Sequence, residues 1–280
     1  MVCEDNGLIE KLSQKLLERE EDLERRKEDL KTWTNSLREL FEIQDAFKTD
    51  GKFRIRGKTV LDVGTDCIKP LYIALKFKPN KIIGIDEELT YSYASDLEQE
   101  SKLFTDTTIR LYNCSLFNNE TLDRIIKKEK IPKKRFDFVL VSKTLHHLRT
   151  AKCVKKERDE KHECREDEKC CIYGFEEQVI FEKLLKLGTR VIVYEWFDPN
   201  EEDNDKIRGR GGYFTPKEWK QIFKNLSAKY KVELIRPNPF HLNEKTPNEV
   251  ESILRKVDYV CFYVEEQDVK DTKKTYSTTN

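Results

Sequence analysis

From Thr59 onward the chain alternates short apolar runs with longer stretches whose apolar residues recur every three or four positions, the signature of strands alternating with amphipathic helices. Thr59–Val63, Lys81–Asp86, Thr108–Tyr112, Phe136–Ser142 and Arg190–Glu195 are the first five predicted strands. The fourth (Phe-Asp-Phe-Val-Leu-Val-Ser) is largely apolar on both faces, as a buried parallel strand should be. Pro70–Phe77, Leu89–Phe104, Glu120–Glu129 and Phe175–Leu187 are helical, and Pro70 fits only an opening turn. A further helix starts at Thr215-Pro216-Lys217-Glu218, with Thr215 as N-cap, Pro216 in the first turn and Glu218 closing a capping box. Trp219, Ile222, Phe223 and Leu226 form its buried face. Lys231–Ile235 and Tyr259–Glu265 are the last two strands, with a helix over Pro247–Lys256 between them. The order predicts an α/β fold: a doubly wound, seven-stranded, mostly parallel sheet.

Residues 1–50 read differently. Leu8, Leu12, Leu16, Leu23, Leu30, Trp33, Leu37 and Phe41 recur at helical or heptad steps, but Glu18–Lys31 is almost wholly charged, so the apolar stripe is narrow. An N-terminal helical extension is expected, either lying on the domain or projecting from it, or serving as a dimerisation arm. Asp50-Gly51-Lys52 marks the turn into the sheet domain, taken as 51–267 with a charged insertion at 150–172. Residues 268–280 read as a fraying tail, with Tyr276 the one large apolar side chain from Asp271 to Asn280.

The 280 residues suffice for one α/β core plus an appendage. Lys and Arg (53) balance Asp and Glu (53), which disfavours a protein whose main work is wrapping a nucleic-acid backbone. No apolar run is long enough to span a bilayer and Met1–Gly7 lacks a signal-peptide pattern, so the reading is cytoplasmic, with no membrane partner. In that compartment the eight cysteines are thiols or metal ligands more readily than disulfides.

The ends of the strands carry the chemistry. The first ends in Asp62-Val63-Gly64-Thr65-Asp66 and the second in Asp86-Glu87; Asn113-Cys114-Ser115 follow the third; the fourth runs through Ser142 to Leu145-His146-His147-Leu148; the fifth ends in Tyr194-Glu195. Ligands of such sheets sit at these carboxyl ends. This order of elements and residues resembles the class I S-adenosylmethionine-dependent methyltransferases, over roughly Thr59–Glu265, with the Leu-His-His-Leu ending similar to the small-molecule branch. In that family the first strand leads into an acid-x-Gly-x-Gly-x-Gly loop. Asp62 and Gly64 match it, whereas Asp66 and Ile68 stand at the second and third glycine positions. The resemblance implies S-adenosylmethionine as cofactor, with Asp62, Gly64, Asp66, Asp86, Glu87, Ser115 and Ser142 as its binding residues. Asp86 would take the ribose hydroxyls. A nicotinamide-dinucleotide fold would want Gly-x-Gly-x-x-Gly, of which only Gly64 is present.

Methyl transfer needs an aligned acceptor and, for a hydroxyl, a proton acceptor. His146, His147 and Glu195 are the candidates; the histidines could instead cap a helix or line the pocket, and Glu195 could anchor a loop. Arg208 and Arg210 lie in a glycine-rich loop that could grip an anionic acceptor. The acceptor implied is a small molecule. An RNA acceptor is the less favoured reading, with Lys127, Lys128, Lys130, Lys133, Lys134 and Arg135 as the phosphate patch. An inactive, partner-binding subunit is the alternative of another class. Cys153, His162, Cys164, Cys170 and Cys171 crowd into the insertion. A structural zinc held by the first three and one of the last two would order a segment poor in apolar residues; a disulfide or free thiols are the other readings.

Overall fold

The computed structural model describes residues 55–65, 68–89, 91–102, 105–142, 144–148, 150–153, 171–174, 176–196, 214–236, 240–241, 246–255 and 259–267. The expected helical extension, the Arg208–Arg210 loop and the tail lie outside them. In chain order the elements are β1 (Thr59–Val63), α1 (Ile68–Phe77), β2 (Lys81–Asp86), α2 (Tyr91–Ser101), β3 (Thr108–Asn113), α3 (Asn119–Lys128), β4 (Phe136–Ser142), β5 (Thr150–Cys153), β6 (Cys171–Gly174), α4 (Glu177–Leu187), β7 (Gly188–Trp196), α5 (Pro216–Ser227), β8 (Tyr230–Arg236), β9 (Phe240–His241), α6 (Pro247–Leu254) and β10 (Tyr259–Glu266).

The main sheet has the order β3-β2-β1-β4-β7-β10-β8-β9. β3, β2, β1, β4 and β7 run parallel; β10 is antiparallel to both β7 and β8. The chain starts at β1, winds outward to β3, then crosses back to β4, so the β1/β4 boundary is the switch point where ligands of doubly wound sheets bind. Seven strands were expected; the eighth, two-residue β9 pairs with β8 through Glu233–His241 and Leu234–Phe240 and is too short to show as a run in sequence. This is the doubly wound, mostly parallel α/β sheet expected from the sequence.

Sequence explains most of the layering. β1 is buried at all five positions and β4 at six of seven, so both faces of each are covered. Edge strand β3 alternates buried and half-buried positions instead. In α3, Asn118 caps the helix by accepting from Thr121 N at 3.0 Å, while Leu122, Ile125 and Ile126 face the core. The capping box at Thr215–Glu218 is present as expected, and Thr246–Glu249 forms a second one before α6. α5 docks by aromatic packing: Trp219 lies 4.8 Å from Phe214, 5.4 Å from Phe223 and 5.6 Å from Phe262 of β10, measured between ring centres.

In the insertion a structural zinc was the expected source of order, with a disulfide or free thiols as the other readings. The two ends of the insertion form an antiparallel hairpin, β5–β6, in register from Thr150–Gly174 to Cys153–Cys171. Backbone pairing, which needs no apolar side chains, is what composition could not reveal there.

Candidate cofactor and active site

Parallel register brings the strand ends to one edge. Val63 pairs with Ile85 on one side and Val141 on the other, Asp86 with Asn113, and Ser142 with Tyr194. Gly64, Asp86, Ser115, Ser142 and Glu195 therefore share the carboxyl edge, each at or within two residues of a strand end.

The turn after β1 is stitched from both sides. Gly64 has φ +68°, and an added Cβ would stand 1.9 Å from Thr144 Oγ1 and 2.7 Å from Thr144 Cβ, so both backbone and neighbour demand glycine. Gly64 N–H and Thr65 N–H donate to the Ile85 carbonyl at 2.9 and 3.1 Å. Asp62 is fully buried: its Oδ2 accepts from Thr65 Oγ1 at 2.7 Å and its Oδ1 lies 3.4 Å from Lys69 Nζ. The Lys69 ammonium, almost as buried, also donates to Gly64 O at 3.0 Å. Asp62 thus shapes the turn from beneath. Losing one partner of such a buried pair costs about 3–5 kcal/mol, because the other charge is left uncompensated. Thr65, Lys69 and Thr144 were not anticipated as site residues. The signal available was a lysine in a helix turn otherwise built of Ile68, Pro70 and Leu71. Asp66 lies outside the described residues, and Ile68 opens α1.

Asp86 is half-buried at the end of β2, its Oδ1 accepting from Glu88 N–H at 2.7 Å. Burial pushes its carboxyl above the ordinary 3.8, opposed by the Glu88 hydrogen bond and by nearby Lys69. Glu87 is exposed beside it. Asn113 fastens the following loop by donating to the carbonyls of Glu87 and Leu89 at 2.9 and 3.0 Å. Ser115 organises a turn: its hydroxyl accepts from Phe117 N–H at 3.3 Å and its carbonyl from Asn118 N–H at 3.1 Å.

At the end of β4, Ser142 is 2% exposed and its hydroxyl has no hydrogen-bond partner among the described residues, while its carbonyl accepts from Thr144 Oγ1 at 2.9 Å. His146 and His147 follow on a short 3₁₀ turn, Leu145–Leu148, anchored by buried Leu145; their side chains are outside what is described. Glu195, in register with Val260 of β10, is fully buried and engaged by neighbours.

Of the cysteine and histidine cluster, Cys153 and Cys171 are backbone register partners at one end of the hairpin. His162, Cys164 and Cys170 lie outside the described residues, among which no group of three metal-ligating side chains occurs. The basic patch proves to be at the opposite edge. Lys127, Lys128, Lys130, Lys133 and Lys134 are exposed ahead of β4, whose seven residues at about 3.3 Å each separate them from Ser142 by roughly 20 Å. Arg135 is committed to structure, donating to the Leu185 and Gly188 carbonyls and pairing with Glu266. No helix among the described residues is long and apolar enough to cross a membrane.

Strand order defines a doubly wound α/β sheet whose switch-point edge gathers these strand-end residues. No family model matches the sequence, and no curated protein does. Among solved structures the chain is similar to an O-methyltransferase family protein from Burkholderia thailandensis, at 8% identity over 76% of this chain and 52% of that one, TM-score 0.42. It is similar to the methyltransferase domain of bacterial CtHen1-C, at 17% identity over 75% and 90% of the two chains, TM-score 0.43. It is also similar to magnesium protoporphyrin IX methyltransferase from Synechocystis, solved with bound SAH, at 10% identity over 84% and 82%, TM-score 0.40. The chain spans about half the length of the Burkholderia protein. Likeness at this level carries no argument about activity, which has to come from the site itself.

Proposed function

We propose that the chain binds S-adenosylmethionine at the carboxyl edge of β1, β2 and β4 and transfers its methyl group to a small-molecule acceptor. The observation that carries the reading is the buried hydroxyl of Ser142, without a partner among the described residues, at the switch-point edge that also holds Asp86. A buried hydroxyl left unsatisfied is costly, and a polar ligand at that edge would relieve it. The residues present fit a positively charged nucleoside. Asp86 offers a carboxylate for ribose hydroxyls, and Asp86 and Glu87 set a negative field beside it.

When bound, the cofactor supplies a methyl group on a cationic sulfur, activated for in-line displacement. The chain's own part is to hold the acceptor in line, exclude water and take up a proton from an acceptor hydroxyl. His146 and His147, on the 3₁₀ turn directly after β4, are assigned that proton-accepting and orienting role. Glu195 is assigned to anchoring, because its side chain is fully buried and the residue takes part in a further interaction.

Titration calorimetry of the full chain with S-adenosylmethionine tests the proposal. Wild type binds, and Asp86→Ala loses hydrogen bonds to a charged acceptor worth about 1.5–3 kcal/mol each, weakening affinity by roughly tenfold or more. Absence of binding by the wild type would leave the inactive-subunit reading in its place. Equal affinity in Asp86→Ala would remove Asp86 from the site.

A further inference from the structure

We infer that Lys69 is a positioning residue that does for this chain what the second and third glycines do for the cofactor turn of the resembled family. The inference rests on the S-adenosylmethionine reading above. A lysine is an expensive choice at this place. Its side chain is 3% exposed, so its charge is stripped of water, and it sits in the first turn of α1, where the helix dipole disfavours a cation. Neutralising Asp62 does not by itself explain it, since a well-packed apolar pair fills such a space at least as stably as an ion pair.

What an apolar pair could not do is hold a carbonyl. The peptide unit joining Gly64 and Thr65 is bound at both ends: its C=O accepts from Lys69 Nζ at 3.0 Å, and its N–H donates to Ile85 O at 3.1 Å. Thr65 Oγ1 ties the same turn to Asp62, which lies 3.4 Å from the lysine on its other oxygen. These contacts fix the plane of the Gly64–Thr65 peptide and tie it to the first turn of α1. A chain with glycine at the second and third positions lets the backbone relax around its ligand. This chain, with Asp66 and Ile68 there, has less freedom, so the orientation has to be set beforehand. Lys69 sets it.

The test uses the full chain, thermal unfolding and calorimetry with S-adenosylmethionine. Lys69→Met removes the ammonium beside the buried Asp62 carboxylate and loses both stability and affinity. In the double variant Lys69→Met/Asp62→Asn no buried charge remains, so the thermal midpoint returns most of the way to wild type. Affinity does not return and stays about tenfold weaker, because nothing holds the Gly64 carbonyl. Lys69→Arg keeps a cationic donor and recovers affinity relative to Lys69→Met. Should the double variant regain wild-type affinity along with its midpoint, Lys69 serves only to balance charge and the inference is overturned. Should the double variant not fold, Lys69→Arg decides alone: a normal midpoint with affinity no better than that of Lys69→Met overturns it. A wild type that binds no S-adenosylmethionine overturns the functional reading, and this inference with it.

Discussion

At the amino edge of the main sheet, Asp137 accepts from Thr59 N–H and Thr59 Oγ1 at 2.8 and 2.9 Å, and the Thr59 hydroxyl takes the Asp137 N–H in return at 3.1 Å. Lys81 reaches both the carbonyl and the carboxylate of Glu129 at 2.8 and 3.0 Å, and Glu265 is shared by Arg190 and Lys231 at 2.8 and 2.7 Å. Each polar group named there is satisfied by another from the same edge. At the carboxyl edge, Ser142 has a buried hydroxyl without a described partner, Asp86 is held above its ordinary pKa by burial, and a lysine and an aspartate are buried under a left-handed glycine. Elsewhere Trp219 Nε1 and Ser227 Oγ on α5 are also buried without a described partner, so one orphan atom does not make a site. The concentration of costly features at one strand edge is what sets it apart. A fold closes what it can for stability, and local costs that persist at the ligand edge mark where it is built for something else.

The largest contrast between the two edges should come from the two left-handed glycines among the described residues. Gly57 precedes β1 at φ +73° with nothing within 4 Å of an added Cβ, whereas Gly64 follows β1 at φ +68° against Thr144. Gly57→Ala should cost only the backbone penalty, about 1 kcal/mol at the low end of the usual range. Gly64→Ala adds the overlap with Thr144, a further ~1–3 kcal/mol of the kind overpacking brings. It should abolish measurable S-adenosylmethionine binding as well. Denaturant titration of both variants checks this. Equal losses of stability would mean that Thr144 yields freely and the carboxyl turn is no tighter than the amino one.

A smaller effect should separate the edges by sign. Ser142→Ala removes a buried hydroxyl that has no partner among the described residues, so the thermal midpoint should hold or rise. Affinity for S-adenosylmethionine should fall by the worth of one hydrogen bond, about 0.5–1.5 kcal/mol. Thr59→Val, at the amino edge, should do the reverse: a lower midpoint and unchanged affinity. If Ser142→Ala instead lowers the midpoint and leaves affinity alone, the hydroxyl belongs to the fold and the comparison loses its main support.

Much of this arrangement was legible because buried parallel strands are nearly continuous apolar runs, and the acids and glycine that end them stand out. β4 falls on Phe136–Ser142 as read from sequence, and the order of the remaining strands follows from alternation with helices. Lys69 was not legible. A lysine in a first helical turn looks like a solvated residue until its partners, Asp62 seven positions back and the Gly64 carbonyl, are brought together by folding. The hairpin β5–β6 was hidden for another reason. Its four-residue strands, Thr-Ala-Lys-Cys and Cys-Ile-Tyr-Gly, have no turn dipeptide joining them, so no local pattern announces their pairing. The basic run at Lys127–Arg135 was visible as composition, but only the sheet shows that it belongs to the edge away from Ser142. Sequence marked the strand-end acids as candidates, while the supports beneath the turn needed tertiary contacts.

The smallest expected effect probes the amino edge through pH. Burial alone would raise the Glu129 carboxyl, but hydrogen bonds from Tyr112 and Lys81 outweigh it and hold its pKa below the ordinary 4.5. Tyr112 is pushed the other way, upward, by burial and by the same hydrogen bond, so the phenol keeps its proton as donor across the acid and neutral range. A carboxylate depressed in the native state binds protons more readily when unfolded. Its contribution to stability is therefore complete above about 4.5 and lost as pH falls through the lower native value. Glu129→Gln keeps an amide oxygen for one hydrogen bond, so the loss at neutral pH should be modest, about 0.5–1 kcal/mol. The difference between wild type and variant should shrink as pH drops below 4.5, and at no pH should the substitution change affinity for S-adenosylmethionine. Urea titrations at a series of pH values, paired with calorimetry at neutral pH, measure both quantities. A gap that widens in acid would reverse the sign argued for Glu129. A change in cofactor affinity would mean that the amino edge, closed as it is, still communicates with the turn at Gly64.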